Sequence, residues 1–174
     1  MYNTFKKNYS PEELELFEFL SSIRLFEKLT NEEMAHFSSH LHPRTYSQDE
    51  VVFFRGDPSY ALYLVKKGKV SLRMDINDEF EELAIVRSGD SFGDNSLLED
   101  TKRIYSSVVV TEKAELFVIP KASILDILDN EPEIRAKMMT AFAKVYNEYT
   151  TTLFKKYKSA FGFFDLNMVY EDQR

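Results

Sequence analysis

The chain has 174 residues, 44% apolar and 29% charged, which is enough for one well-cored domain with a helical appendage. Its formal charge of −7 argues against nonspecific nucleic-acid binding, which needs a basic face. The absence of cysteine excludes a disulfide framework, a thiolate zinc site and a cysteine nucleophile.

Residues 1–41 read as an N-terminal arm and helices. The start, MYNTFKKNYS, has no apolar core of signal-peptide length, and no later run approaches the ~18 apolar residues of a membrane span. The expectation is therefore a cytoplasmic protein. Ser10-Pro11-Glu12-Glu13 is a helix start, with a Ser cap, Pro in the first turn and Glu three residues after the cap. Leu14, Phe17, Phe19 or Leu20, Ile23 and Phe26 follow at helical spacing. Thr30-Asn31-Glu32-Glu33 repeats the capping pattern, with Met34, Phe37 and Leu41 as the next stripe.

Residues 42–120 change to short strand-length runs separated by turn signals, alternating weakly at Arg44–Ser47 and clearly at Val70–Asp75. The runs lie at Arg44–Ser47, Glu50–Phe54, Tyr60–Val65, Val70–Asp75, Phe80–Val86, Tyr105–Val110 and Glu115–Ile119. Gly56-Asp57-Pro58, Lys67-Gly68-Lys69 and Ser88-Gly89-Asp90 are among the turns. Such spacing predicts an antiparallel sandwich or barrel. Glu79, Glu81 and Glu82 read as a wet strand edge that resists pairing.

Residues 121–174 return to helical spacing. Lys121 to Asp129 predicts a short helix, and Asn130 is the expected cap of a longer one that runs to about Ser159. Met138, Phe142, Val145, Tyr149, Leu153 and Tyr157 recur every three or four residues. About seven turns outreach a small barrel, so part of this stripe is expected to pack on something else, in one reading a second copy of the chain. Phe161, Phe163, Phe164 and Leu166 form an aromatic tail cluster around Gly162.

Between two of the strands lies Ser88–Val110, SGDSFGDNSLLEDTKRIYSSVVV. Glycines and small residues there can present successive backbone N–H groups as an anion nest, and Arg103 can supply a fork of donors to a phosphate. The order Gly89-Asp90-x-Phe92-Gly93-acid, then a small residue, an apolar pair and an arginine before Ser and Val, resembles the phosphate-binding cassette of the cyclic nucleotide-binding domain family. The resemblance covers about residues 25–145 and includes Leu25-Phe26-Glu27-Lys28-Leu29 and the Gly56-Asp57, Leu62-Tyr63-x-Val65 and Gly68-x-Val70 matches.

The resemblance implies an α+β fold, a β-roll or jelly-roll barrel of about eight antiparallel strands, with N-terminal helices before it and a long C-terminal helix after it. It implies a regulatory sensor without catalysis, whose ligand is cAMP or cGMP and which needs no cofactor. Phe92 and Gly93 would shape the cassette at 89–107, and Asp94 would take the ribose 2′-hydroxyl. Asn95 and Ser96 amides, Arg103, and Ser106 or Ser107 would hold the cyclic phosphate, and Tyr146 and Tyr149 are the helix aromatics placed to stack on the base. Core packing and a dimer seam are the competing roles for that tyrosine pair. The implied partners are the nucleotide, a second copy joined through the C-terminal helix, and an effector protein.

Three departures from the family pattern stand out. Asp94 replaces a glutamate, Asn95 replaces an apolar residue, and Lys102 replaces a common proline. Counting forward from Phe92 puts Arg103 on the arginine position, whereas counting back from Glu115–Ile119 puts Ile104 there. These features leave open a second reading, a degenerate domain that binds no nucleotide and serves as an interaction module. Only about fifteen residues follow Ser159, too few for the helix-turn-helix of a transcription factor of this type. His36, His40 and His42 lack the neighbouring acid of a zinc-protease helix and read as solvated, and neither a nucleophile elbow nor a P-loop is present.

Overall fold

The computed structural model describes residues 8–76 and 79–162. Helix α1, Pro11–Ser22, starts at the expected capping box: the Glu13 N–H donates to Ser10 Oγ at 3.1 Å and the Ser10 N–H to Glu13 Oε2 at 2.8 Å. Its buried stripe begins at Phe17 and continues through Leu20, Ile23 and Phe26, whereas Leu14 is 47% exposed. The first residue of the expected stripe therefore sits on the solvent side of the first turn. Helix α2, Asn31–Ala35, carries the second capping box, from Thr30 and Glu33. It is short, and a 3-10 turn at Ser38–His40 takes the chain into the sheets.

Eight strands follow: β1 His42–Ser47, β2 Val51–Phe53, β3 Ala61–Lys67, β4 Lys69–Ile76, β5 Glu79–Arg87, β6 Ser91–Phe92, β7 Ser106–Val109 and β8 Lys113–Pro120. They form two four-stranded antiparallel sheets, in the orders β1-β8-β3-β6 and β2-β7-β4-β5. This is the expected β-roll. The unbroken apolar run of β3 has a clear cause, because both of its faces are buried. Leu62 and Leu64 pack with Ile119 under the helices, while Val65 faces inward with Val70, Val86, Phe92, Val109 and Leu116. Each such buried side chain contributes roughly 1.5–3 kcal/mol. β5 is an edge strand, as its charges imply, but Glu82 is not merely solvated: it accepts a 2.8 Å hydrogen bond from the buried Ser71 hydroxyl.

Two helices close the chain, α3 Lys121–Asn130 and α4 Pro132–Phe161. Asn130 is not the cap of α4. It is the last residue of α3, its Nδ2 bonding back to the Asp126 carbonyl at 2.8 Å, and Glu131 occupies the α4 cap position without a side-chain capping bond, its carboxylate lying 3.5 Å from His36 Nδ1. α4 buries Ile134, Met138, Ala141 and Phe142 in one cluster with α1, α2 and α3 residues, and Val145 is buried one turn on. From Tyr146 to Ser159 every residue is exposed, so the lower half of the expected stripe leaves the core. Gly162, at φ 74°, ends the helix in the left-handed conformation that glycine tolerates. Phe163, Phe164 and Leu166 lie outside the described residues, as does the Phe161 side chain. Among the described residues, no helix is long and apolar enough to cross a membrane.

Candidate functional site

The cassette is built from the β5 end onward. After β5 the chain turns at Gly89, whose N–H bonds the Val65 carbonyl at 3.0 Å, and Asp90 Oδ2 accepts from the Arg87 N–H at 3.2 Å. β6 then docks Phe92 opposite Tyr63, and the two rings stack at 5.1 Å. Gly93 follows at φ 77°, where a side chain would be strained and would also collide with Arg103. A 3-10 turn at Asp94–Leu97 comes next.

Asn95 is the staple of this loop, which accounts for a polar residue where the family pattern has an apolar one. Its Oδ1 accepts from Ser59 Oγ at 2.8 Å and from Arg103 Nη1 at 3.2 Å, and its Nδ2 donates to the Lys102 carbonyl at 2.7 Å. The backbones of residues 56–59 and 101–103 pair alongside, through Gly56 N–H to the Arg103 carbonyl and Arg103 N–H to the Asp57 carbonyl, each 2.8 Å.

Arg103 is 4% exposed. Nη1 donates to the Gly93 carbonyl at 3.1 Å and Nη2 to the Ala61 carbonyl at 2.5 Å, and the guanidinium lies 4.2 Å from the Phe53 ring centre. Among the described residues no carboxylate comes within 4.0 Å of it. Among the described residues its Nε and the buried hydroxyls of Ser96 and Ser107 make no hydrogen bond, and the Tyr63 hydroxyl stands near enough to bear on the guanidinium. Ser106 is engaged, accepting from the Arg55 N–H at 2.9 Å. Asp94 is buried, and burial pushes its carboxyl above the ordinary range. A hydrogen bond from Ser91 Oγ at 3.2 Å and the charges of Arg103 and Arg24 pull the other way. Tyr105 accepts from the Gly93 N–H at 3.2 Å, and burial raises its hydroxyl far above the usual phenol value.

A cavity of about 570 Å³ opens beside this loop. Its floor is Leu72 of β4 and Leu83–Val86 of β5; the cassette contributes Asp90, Ser91, Phe92, Asp94, Ile104 and Tyr105. Its roof is Val145, Tyr146, Tyr149, Thr150 and Leu153 of α4, and Arg24 and Leu25 close one end. The structure thus brings Phe92, Asp94, Tyr146 and Tyr149 to the cavity wall. Gly93, Asn95, Ser96, Arg103, Ser106 and Ser107 belong to the packed loop and do not reach that wall. Ile104 does, 60% exposed, so the two ways of counting the cassette correspond to two neighbouring residues with different surroundings. Tyr146 and Tyr149, 37% and 58% exposed, are roof residues and not core. Arg24, Leu72, Leu83 and Tyr105 had no signal in the sequence: each meets the cavity through tertiary packing alone.

Residues 43–131 match the family described as "Cyclic nucleotide-binding domain". The chain is 33% identical over 125 residues to the cyclic AMP receptor protein of Thermus thermophilus, covering 71% of this chain and 57% of that protein. It is 29% identical over 104 residues to the cAMP-dependent protein kinase type II regulatory subunit of Drosophila melanogaster, covering 60% of this chain and 26% of that one. The crystal structure of the Thermus thermophilus catabolite activator protein aligns with a TM-score of 0.65 at 30% identity, over 75% of this chain and 61% of that chain. The chain thus spans little more than half the length of the first of these curated relatives and about a quarter of the second.

Proposed function

The chain belongs to the cyclic nucleotide-binding domain family, and we propose that it is a non-enzymatic regulatory domain that takes cAMP or cGMP into the cavity under α4. One observation carries this reading: Arg103 is a buried cation with no carboxylate partner among the described residues. Buried charges are ordinarily paired, because desolvation is costly. A cyclic phosphate supplies the missing negative charge: the cassette loop, which packs Arg103, Ser96 and Ser107 behind the cavity wall, opens to admit it, and its oxygens then accept from Arg103 Nε and the two hydroxyls, the buried cassette donors without partners among the described residues. Asp94, on the cavity wall, takes a ribose hydroxyl. The base lies against the apolar floor, with Tyr146 and Tyr149 over it.

The ligand acts by population shift: it favours whichever position of α4 it binds better, and only to the extent of that difference. The exposed apolar residues of α4 past the core, Tyr149 and Leu153 among them, are the surface through which two copies of the chain pair or an effector protein reads the helix.

Titration calorimetry of the full chain with cAMP and with cGMP, on wild type and Arg103→Gln, tests the reading. Saturable binding by wild type is expected, weakened at least ~30-fold in a variant that keeps its circular dichroism, since a lost charged hydrogen bond costs about 2 kcal/mol or more. Absence of both heat and thermal shift at millimolar nucleotide overturns the reading, and undiminished binding by the variant moves the phosphate away from Arg103.

A further inference from the structure

The roof of the cavity has a weak side. α4 is anchored in the core down to Val145, the last buried residue among those described on it, yet four of its five cavity-lining residues, Tyr146, Tyr149, Thr150 and Leu153, lie beyond that point. Burial therefore does not fix the stretch that covers the cavity. What reaches it is Arg24, from the turn after α1: its Nη2 bonds Glu148 Oε2 at 2.7 Å, across 124 residues of sequence. Among the described residues this is the ion pair farthest along α4; the others recorded on the helix involve Arg135 and Lys137, at its start. Arg24 also lines the cavity and is the one basic side chain that does so among the described residues. Besides Glu148, the carboxyl groups that bear on its surroundings are Asp90 and Asp94 of the cassette.

We propose that the Arg24–Glu148 pair is the tether that holds the cavity-lining stretch of α4 against the body of the domain. Arg24 and Glu148 are then positioning residues that set how long a ligand is retained through the placement of the helix. The consequence for ligand retention rests on α4 being the roof of a nucleotide site; the tether itself does not. Both side chains are about half exposed, at 47% and 59%, so the pair is of the modest kind, worth up to about 1 kcal/mol. That strength suits a tether that must let go: a stronger pair would lock the roof, while one of this size changes the closed population about 5-fold at most.

The experiment is hydrogen–deuterium exchange of residues 145–153 in the nucleotide-free full chain, comparing wild type, Arg24→Glu, Glu148→Arg and the double charge swap. Exchange about 2–5-fold faster in each single variant, returning toward wild type in the swap, is the expected result. A merely local role of either side chain would not be rescued by the swap. Unchanged exchange in both single variants, or a swap as fast as the single variants, overturns the tether. Dissociation of cAMP, followed by stopped flow in the same four proteins, is expected to quicken and recover in the same order. A chain that binds no nucleotide would overturn the proposed function and leave the exchange result standing as the test of the tether.

Discussion

A Cβ built on Gly93 would stand 2.5 Å from Arg103 Nη1. The glycine that begins the cassette turn and the arginine ten residues later therefore specify each other: one leaves the space, the other fills it and bonds the Gly93 carbonyl at 3.1 Å. The Ala61 carbonyl lies 3.2 Å from the same point, so backbone bars one side and the guanidinium the other.

Gly93→Ala is accordingly expected to destabilise the fold by about 1–3 kcal/mol, through the left-handed backbone and the displaced guanidinium together. Urea denaturation reads the loss as a lower midpoint at unchanged slope. Gly56→Ala is the control, since its φ is also positive but nothing lies within 4 Å of its added Cβ, and it should cost less.

Asp94 gives a pH dependence of defined sign. Burial raises its folded pKa above the ordinary 3.8. Between that value and the higher folded one, the native state holds more protons than the unfolded state, so stability falls as pH rises through the window. Asp94→Asn removes the penalty. It should melt higher than wild type at pH 7, with the gap closing as pH drops below about 4. A gap of the same size at pH 3 and pH 7 would contradict this account.

Glu33 has the opposite sign. Burial pushes its carboxyl up, but the hydrogen bond from Lys137, the Thr30 N–H and the Lys137 charge outweigh burial, and its folded pKa lies below the ordinary 4.5. Its contribution is present above 4.5 and is lost as pH falls through the folded value. One carboxylate here closes the α2 capping box and receives Lys137 at 2.7 and 2.9 Å. Glu33→Gln should cost about 1–2 kcal/mol at pH 7 by urea denaturation and much less at pH 3.

Pairing of two copies through α4 is tested at Leu153, 63% exposed on the half of the helix beyond Val145. Leu153→Glu in nucleotide-free buffer should give the monomer mass by light scattering while wild type gives twice that mass. An equal mass for both proteins places any pairing surface elsewhere.

Much of the architecture was legible because it rests on local chemistry. Ser10 and Thr30 announce their helices through side chains that reach only three residues along the chain, and alternation marks β4, although its polar face is not wet: Ser71 is buried and Arg73 half-buried. β6 was not legible, since two residues have no period; it exists because Phe92 finds Tyr63 across the sheet. The misplaced α4 cap has a similar origin: Asn130 is a good capping residue, but Asp126 one turn back takes its side chain first. The cassette stood out through its glycines, and its wall residues Phe92 and Asp94 with it. Arg24 left no trace, because its role depends on Glu148, 124 residues away, and no pattern within a window reports a contact of that range.

The geometry of α4 has a mechanical side. Phe161, where the helix ends, lies sixteen residue steps beyond Val145, the last residue described as buried on it. At 1.5 Å per residue that is a stiff arm of about 24 Å. A tilt of about 10° at Val145 would carry the far end roughly 4 Å, on the order of a side-chain width, for very little rearrangement at the pivot. A small adjustment around a ligand is thereby converted into a displacement large enough for another protein to register.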